Sequence, residues 1–238
     1  MIFWLKNKMN PLMIFNHMYF RIKNSGAIIE CLSLYVISLL FIKFLMSVQF
    51  FSRFFDMLLP ATFLYLSVLM VIVSGRDHGD YGFTFKGWLG DLLYVLLFVL
   101  VFFPIVFFAY AVYRKIVLPG AFHLSLPHGI TEFAFVQILV VGLSEEAFFR
   151  GYLQQRLSEG ISGNALSIPW ISLSWAVIVA NVFFTLAHII ILGQVWRINV
   201  FLPGLAFGWL RERRKSLIAP MLFHGLSNVF MLVLESSF

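Results

Sequence analysis

The chain has 238 residues, of which 61% are hydrophobic and 12% charged. Those proportions exclude an ordinary soluble globular domain and fit a polytopic membrane protein. The formal charge of +6 is spread over short loops, so no long basic segment exists to bind nucleic acid. The single Cys31 excludes a disulfide framework and a cysteine metal site.

Residues 1–26, "MIFWLKNKMNPLMIFNHMYFRIKNSG", are broken by Pro11 and carry basic and aromatic residues where a signal peptide has a uniform apolar stretch. They read as a basic-aromatic interfacial lead-in rather than a cleaved signal. Apolar runs of spanning length, about 20 residues, follow at 27–46, 54–73, 89–112, 130–153, 170–192 and 217–234. Ile198 to Leu210, thirteen residues, would cover about 20 Å as a helix against about 30 Å of hydrocarbon, which predicts a short, tilted or re-entrant helix. The expected fold is all-α, a transmembrane helix bundle of about seven spans, with six and eight as the neighbouring readings. Residues 27–128 would be supporting N-terminal helices and 129–238 the core that carries the chemistry.

Loop charge predicts orientation. With the N-terminus in the cytoplasm, Lys6, Lys8, Arg21, Lys23, Arg76, Lys86, Arg156 and the cluster Arg211, Arg213, Arg214, Lys215 lie inside, against Arg53, Arg114, Lys115 and Arg197 outside. This bias obeys the positive-inside rule, and seven spans would then leave the C-terminus outside. The small size favours a prokaryotic cytoplasmic membrane.

The first half is chemically bland. Lys43 is the one charge in the middle of its spans and is expected to snorkel to an interface. In "SGRDHGDYGFTFKGW", Asp77, His78 and Asp80 sit among glycines and read as turn chemistry, not as metal ligands. "VLPGAFHLSLPHG" is a loop with room for a short surface helix, and its His123 and His128 are assigned to the interface.

The second half carries a polar group in almost every span. Glu145, Glu146 and Arg150 together cost on the order of 8–10 kcal/mol at membrane depth, more than the apolar residues around them recover. They must therefore face the bundle interior or a wet cavity. Glu146 and Arg150, four apart with acid before base, can pair on one face. Glu145, rotated by about 100°, is left without that partner. In "NVFFTLAHIIILG", Asn181, Phe184 and His188 share a face; in the last span His224 and Asn228 are four apart. Taken singly, each set could be interhelical glue.

Three spans converging with a carboxylate, two imidazoles and an amide make a hydrolytic kit. A carboxylate without a cationic partner can act as general base. An imidazole can share the attacking water and then protonate the leaving amine. A second imidazole and an amide N–H can donate to a developing oxyanion.

At these residues the sequence resembles the CPBP family of intramembrane proteases, the CAAX proteases and bacteriocin-processing enzymes. Glu145, Glu146 and Arg150 match its first motif, Phe184 and His188 its second, His224 and Asn228 its third, over roughly Gly129 to Leu234. The resemblance implies hydrolysis of a peptide bond within the membrane. Glu145 with His188 would activate water, His224 with Asn228 would form an oxyanion hole, and Glu146, Arg150 and Phe184 would support the site. A membrane-associated protein or peptide would be the substrate: a CAAX-type tail, a leader peptide or a C-terminal sorting segment. No metal or other cofactor is expected, the alternative being a zinc ion held by Glu145, His188 and His224. The rival readings are a non-catalytic scaffold or bacteriocin-immunity protein and a proton-coupled transporter.

Overall fold

The computed structural model describes residues 19–117, 121–168 and 171–238. Most of the expected interfacial lead-in, residues 1–18, lies outside the described residues. Helices dominate: α1 (Ser25–Ser47), the single turn α2 (Gln49–Ser52), α3 (Phe55–Val73) and α4 (Trp88–Val117) form the first half. The second half holds α5, a continuous helical run from Ile130 to Gly160, followed by α6 (Trp175–Leu192), a 3₁₀ turn (Val195–Val200), α7 (Phe201–Arg214) and α8 (Ile218–Ser237). The bundle is all-α in class. Among the described residues, α1, α3, α4, α6 and α8 are long and apolar enough to cross a membrane. In α5, a helix long enough to span, the polar run Ser144–Glu146 and Arg150 interrupt the apolar stretch. At fourteen residues, α7 is about 21 Å long.

Local chemistry explains where the helices start and stop. The Asn24 side chain accepts from the Ala27 N–H at 3.2 Å to cap α1, and Ser174 accepts from Val177 N–H at 3.3 Å to cap α6. At the far end of α6, Gly193 takes the left-handed conformation (φ 68°) that ends the helix. Lys43 does more than reach an interface: its Nζ donates to the Ile191 carbonyl at 3.2 Å, satisfying a group that the last turn of α6 leaves open.

Among the described residues, two short antiparallel ribbons accompany the helices. β1 (Arg21–Ile22) pairs with β2 (Ile161–Ser162) in the register Arg21↔Ser162, and β3 (Asn164–Ile168) pairs with β4 (Ile171–Ser174). Pairs this short give no alternation that sequence reading could detect. The 121–127 stretch, where a surface helix had room to form, has no helix; His123 N–H there donates to the Ser237 carbonyl at the end of α8.

One end of the bundle gathers the start of α1, the 74–87 loop, the end of α5 and the α7–α8 turn. Glu30 accepts from Arg76 at 2.7 Å and from Arg156 at 2.8 Å, and also receives the Tyr152 hydroxyl. The Glu30 carboxylate raises the affinity of Arg76 for its proton further above the usual guanidinium range. Burial, with Glu159 acting after it, pushes the Tyr81 hydroxyl up to about 12. Across the turn, Arg211 donates to the Asp80 carbonyl at 2.6 Å and Arg214 to the buried Asp91 carboxylate at 2.7 Å. The loop that looked like turn chemistry thus acts as a brace between helix ends.

The helices meet most closely where side chains are absent. A Cβ on Gly225 of α8 would lie 2.7 Å from Ile138 Cα and 2.9 Å from Ile138 N of α5, and one on Gly142 would lie 3.0 Å from the Met221 carbonyl oxygen. Between α7 and α6, a Cβ on Gly204 would meet Asn181 Oδ1 at 2.0 Å. Small residues allow such approach without an aqueous driving force. Because backbone atoms cannot yield, Gly225→Ala is expected to part α5 and α8 at a cost of about 1–3 kcal/mol. Thermal unfolding in detergent checks this, and an unchanged midpoint would show that the crossing is not that tight.

Candidate active site

Helix α5 is not uniform. Turns of π-helix, Gln137–Gly142 and Ala147–Leu153, flank the short α segment Leu143–Glu146. Wide turns of this kind recur at functional sites because they shift side chains off the α register. Here they bracket the two glutamates.

Glu146 is fully buried and anchors the structural half of the site. Its Oε1 accepts from Arg150 Nη1 at 3.0 Å and from His224 Nδ1 at 2.8 Å. Arg150, 1% exposed, also donates to the Gly204 carbonyl at 3.1 Å and reaches Asn181 Oδ1 at 3.5 Å. Its guanidinium lies 4.0 Å from the centre of the Phe184 ring and 5.2 Å from that of Phe207, both on the faces of the rings. Planar charge, planar rings and fixed donors explain why the position suits arginine rather than lysine. The i,i+4 pairing of Glu146 with Arg150 is as the spacing predicts. The bond from Glu146 to His224 was not legible, because nothing in spacing tells which residue 78 positions away will arrive.

Glu145 points the other way. Its Oε2 lies 3.7 Å from His188 Nε2 and 3.9 Å from His224 Nε2. That oxygen is buried and has no hydrogen-bond partner among the described residues. Two atoms that share one water can stand up to about 5.6 Å apart, so both gaps fit a bridging water. Side-chain exposure is 19% for His188 and 11% for Glu145, against 5% for His224, which places the accessible side of the cluster at His188.

Partners set the faces of the imidazoles. His188 Nδ1 lies 2.9 Å from the Phe184 carbonyl; a carbonyl only accepts, so Nδ1 carries the hydrogen and Nε2 of the neutral ring offers a lone pair toward Glu145. His224 Nδ1 donates to Glu146, leaving Nε2 toward Glu145 as well. The His224 ring stacks on Phe207 at 4.7 Å, and Phe184 meets it edge-on at 6.0 Å. Phe184 therefore supplies a carbonyl to one histidine and a ring to Arg150 and to the other.

Asn228, one turn beyond His224, is engaged elsewhere: its Nδ2 donates to Gln137 Oε1 at 2.7 Å. Gln137 is a residue that sequence reading passed over, since a lone glutamine near the start of an apolar span has no motif around it. Asn181 binds through both ends of its amide, with Nδ2 donating to the Phe201 carbonyl at 2.8 Å. A zinc ion would draw on Glu145, His188 and His224, but no group of three His, Cys, Asp or Glu side chains among the described residues has metal-site geometry. An apolar groove of about 500 Å³ opens between α4 and α7, lined by Phe98, Phe102, Leu205 and Trp209 among others.

Residues 127–230 match the family described as type II CAAX prenyl endopeptidase Rce1-like, a stretch that contains all three motifs. No curated protein and no solved structure matches the chain.

Proposed function

We propose, from the premise that residues 127–230 match the type II CAAX prenyl endopeptidase Rce1-like family, that this integral membrane protein hydrolyses a peptide bond of a membrane-anchored protein with water activated by Glu145 and His188. The observation that carries the reading is the approach of Glu145 Oε2 to both imidazole Nε2 atoms, at 3.7 and 3.9 Å. A water held between Glu145 and His188 loses a proton to the carboxylate and attacks the scissile carbonyl carbon. The oxyanion accepts from Asn228 and from the Nε2–H of a His224 that enters the reaction doubly protonated, its charge balanced by the Glu146 carboxylate at Nδ1. When the C–N bond breaks, the proton passes through His188 to the leaving amine. This scheme draws on no metal and no covalent enzyme intermediate.

The apolar groove between α4 and α7 suits an apolar, membrane-embedded substrate segment, and a CAAX-type tail is the first candidate. The loop charges support a cytoplasmic N-terminus.

Expression of wild type and Glu145→Gln in parallel in the native host, with membrane-protein termini compared by mass spectrometry, tests the reading. Wild type is expected to produce termini that the variant lacks; identical sets of termini would overturn it. Chelation of the purified protein is expected to leave turnover unchanged. Loss of activity on chelation, restored by zinc, would assign the three donors to a metal instead.

A further inference from the structure

His224 and Asn228 stand one turn apart on α8, and each is held by an acceptor on α5. His224 Nδ1 donates to Glu146 Oε1 at 2.8 Å, and Asn228 Nδ2 donates to Gln137 Oε1 at 2.7 Å. The first contact sets which face of the imidazole meets the reaction. We propose that Gln137 does the same for Asn228, as a positioning residue that fixes the amide with its nitrogen edge toward the scissile carbonyl. The inference rests on the endopeptidase reading and deepens it.

An asparagine side chain needs such a clamp. The final torsion of an amide is soft and roughly twofold, and its two edges are almost the same shape but opposite in hydrogen-bonding sense. Turned one way it offers two N–H donors; turned the other it offers a carbonyl oxygen, which would repel an oxyanion. In the structure Gln137 turns its Oε1 toward α8, and since that oxygen can only accept, this pairing goes with the orientation that has Nδ2 toward α5. One N–H is used in that bond. The second, fixed in the amide plane, remains to donate to substrate.

The backbone supports the same role. Gln137 opens the first π turn of α5, and the Gly142 and Gly225 approaches bring α5 and α8 into backbone contact in this region. A glutamine on any ordinary lipid-facing helix surface would have no partner at this depth. Here it meets the one amide that the third motif provides.

The test uses the substrates whose termini differ between wild type and Glu145→Gln in native-host membranes. Gln137→Met, Gln137→Glu, Asn228→Ala and Gln137→Met with Asn228→Ala are expressed at matched levels, and thermal unfolding is measured on each purified protein. Gln137→Met is expected to slow cleavage by about 10- to 100-fold, as for a misaligned oxyanion donor. Gln137→Glu keeps the acceptor and is expected to stay within about threefold of wild type. The double variant is expected to be no slower than Asn228→Ala, because two residues acting through one bond are not additive. Wild-type turnover in Gln137→Met, a loss in Gln137→Glu as deep as in Gln137→Met, or additive losses in the double variant would overturn the role of Gln137 alone. A fall in unfolding temperature that Gln137→Glu does not restore would assign the residue to packing and overturn it too. Identical termini in wild type and Glu145→Gln would overturn the Glu145-driven hydrolysis on which this inference rests, and this inference with it.

Discussion

Glu145→Gln is expected to slow cleavage by about 10²- to 10⁴-fold, the usual contribution of a positioned general base, while the protein keeps its unfolding temperature. The two halves of that expectation come from the same observation. Glu145 Oε2 has no hydrogen-bond partner among the described residues and lies just beyond bonding distance of two imidazoles, so it contributes little to cohesion. An amide of the same shape removes the basic oxygen and leaves the packing intact. Turnover on a substrate found by terminal mass spectrometry, with thermal unfolding of the same preparations, measures both. Wild-type turnover in the variant would show that the base lies elsewhere, and a large drop in unfolding temperature would show that Glu145 is part of the scaffold.

Arg150→Ala is expected to act in the opposite sense, chiefly on stability. Removing one member of a buried ion pair costs about 3–5 kcal/mol because the other charge is left uncompensated. For a chain of this size that corresponds to an unfolding temperature lower by roughly 10 °C. The alanine would strand Glu146, leave the Gly204 carbonyl without its donor and remove the cation from the Phe184 face. Glu146→Gln is expected to destabilise less, since an amide oxygen can still accept from Arg150, but to release His224 Nδ1 in part and so lower turnover as well. Arg150→Lys tests the geometry separately: one ammonium cannot serve Glu146 and Gly204 as the planar fork does, so it should recover only part of the loss. An unfolding temperature unchanged in Arg150→Ala would end the assignment of this residue to the scaffold.

Much of this was legible in the linear chain, and the reasons are local. Apolar runs of the length of a bilayer announce helices because unpaired backbone cannot exist in lipid. Charges inside such a run announce an interior site because lipid does not tolerate them. Four-residue spacing places Glu146 with Arg150, Phe184 with His188 and His224 with Asn228, since helical geometry is the same wherever the helix lies. What spacing could not show was arrival. Whether Glu145 or Glu146 would meet His224 depends on how α8 rotates against α5, which the glycine contacts at Gly142 and Gly225 decide.

Gln137 shows the boundary most clearly. Along the chain it is one polar residue in an apolar span, with nothing at helical spacing to interpret it. Only the crossing of α5 and α8, and the π turn that begins at Gln137, put its carbonyl oxygen 2.7 Å from the Asn228 amide. The amino-acid order alone determined the helices, their membrane character and the inventory of reactive groups, because each follows from short-range geometry and the free energy of transfer into lipid. Tertiary packing decided which glutamate is bound and which is open, which nitrogen of each histidine is spent, and where the Asn228 amide turns, because those outcomes are set by contacts between residues scores of positions apart.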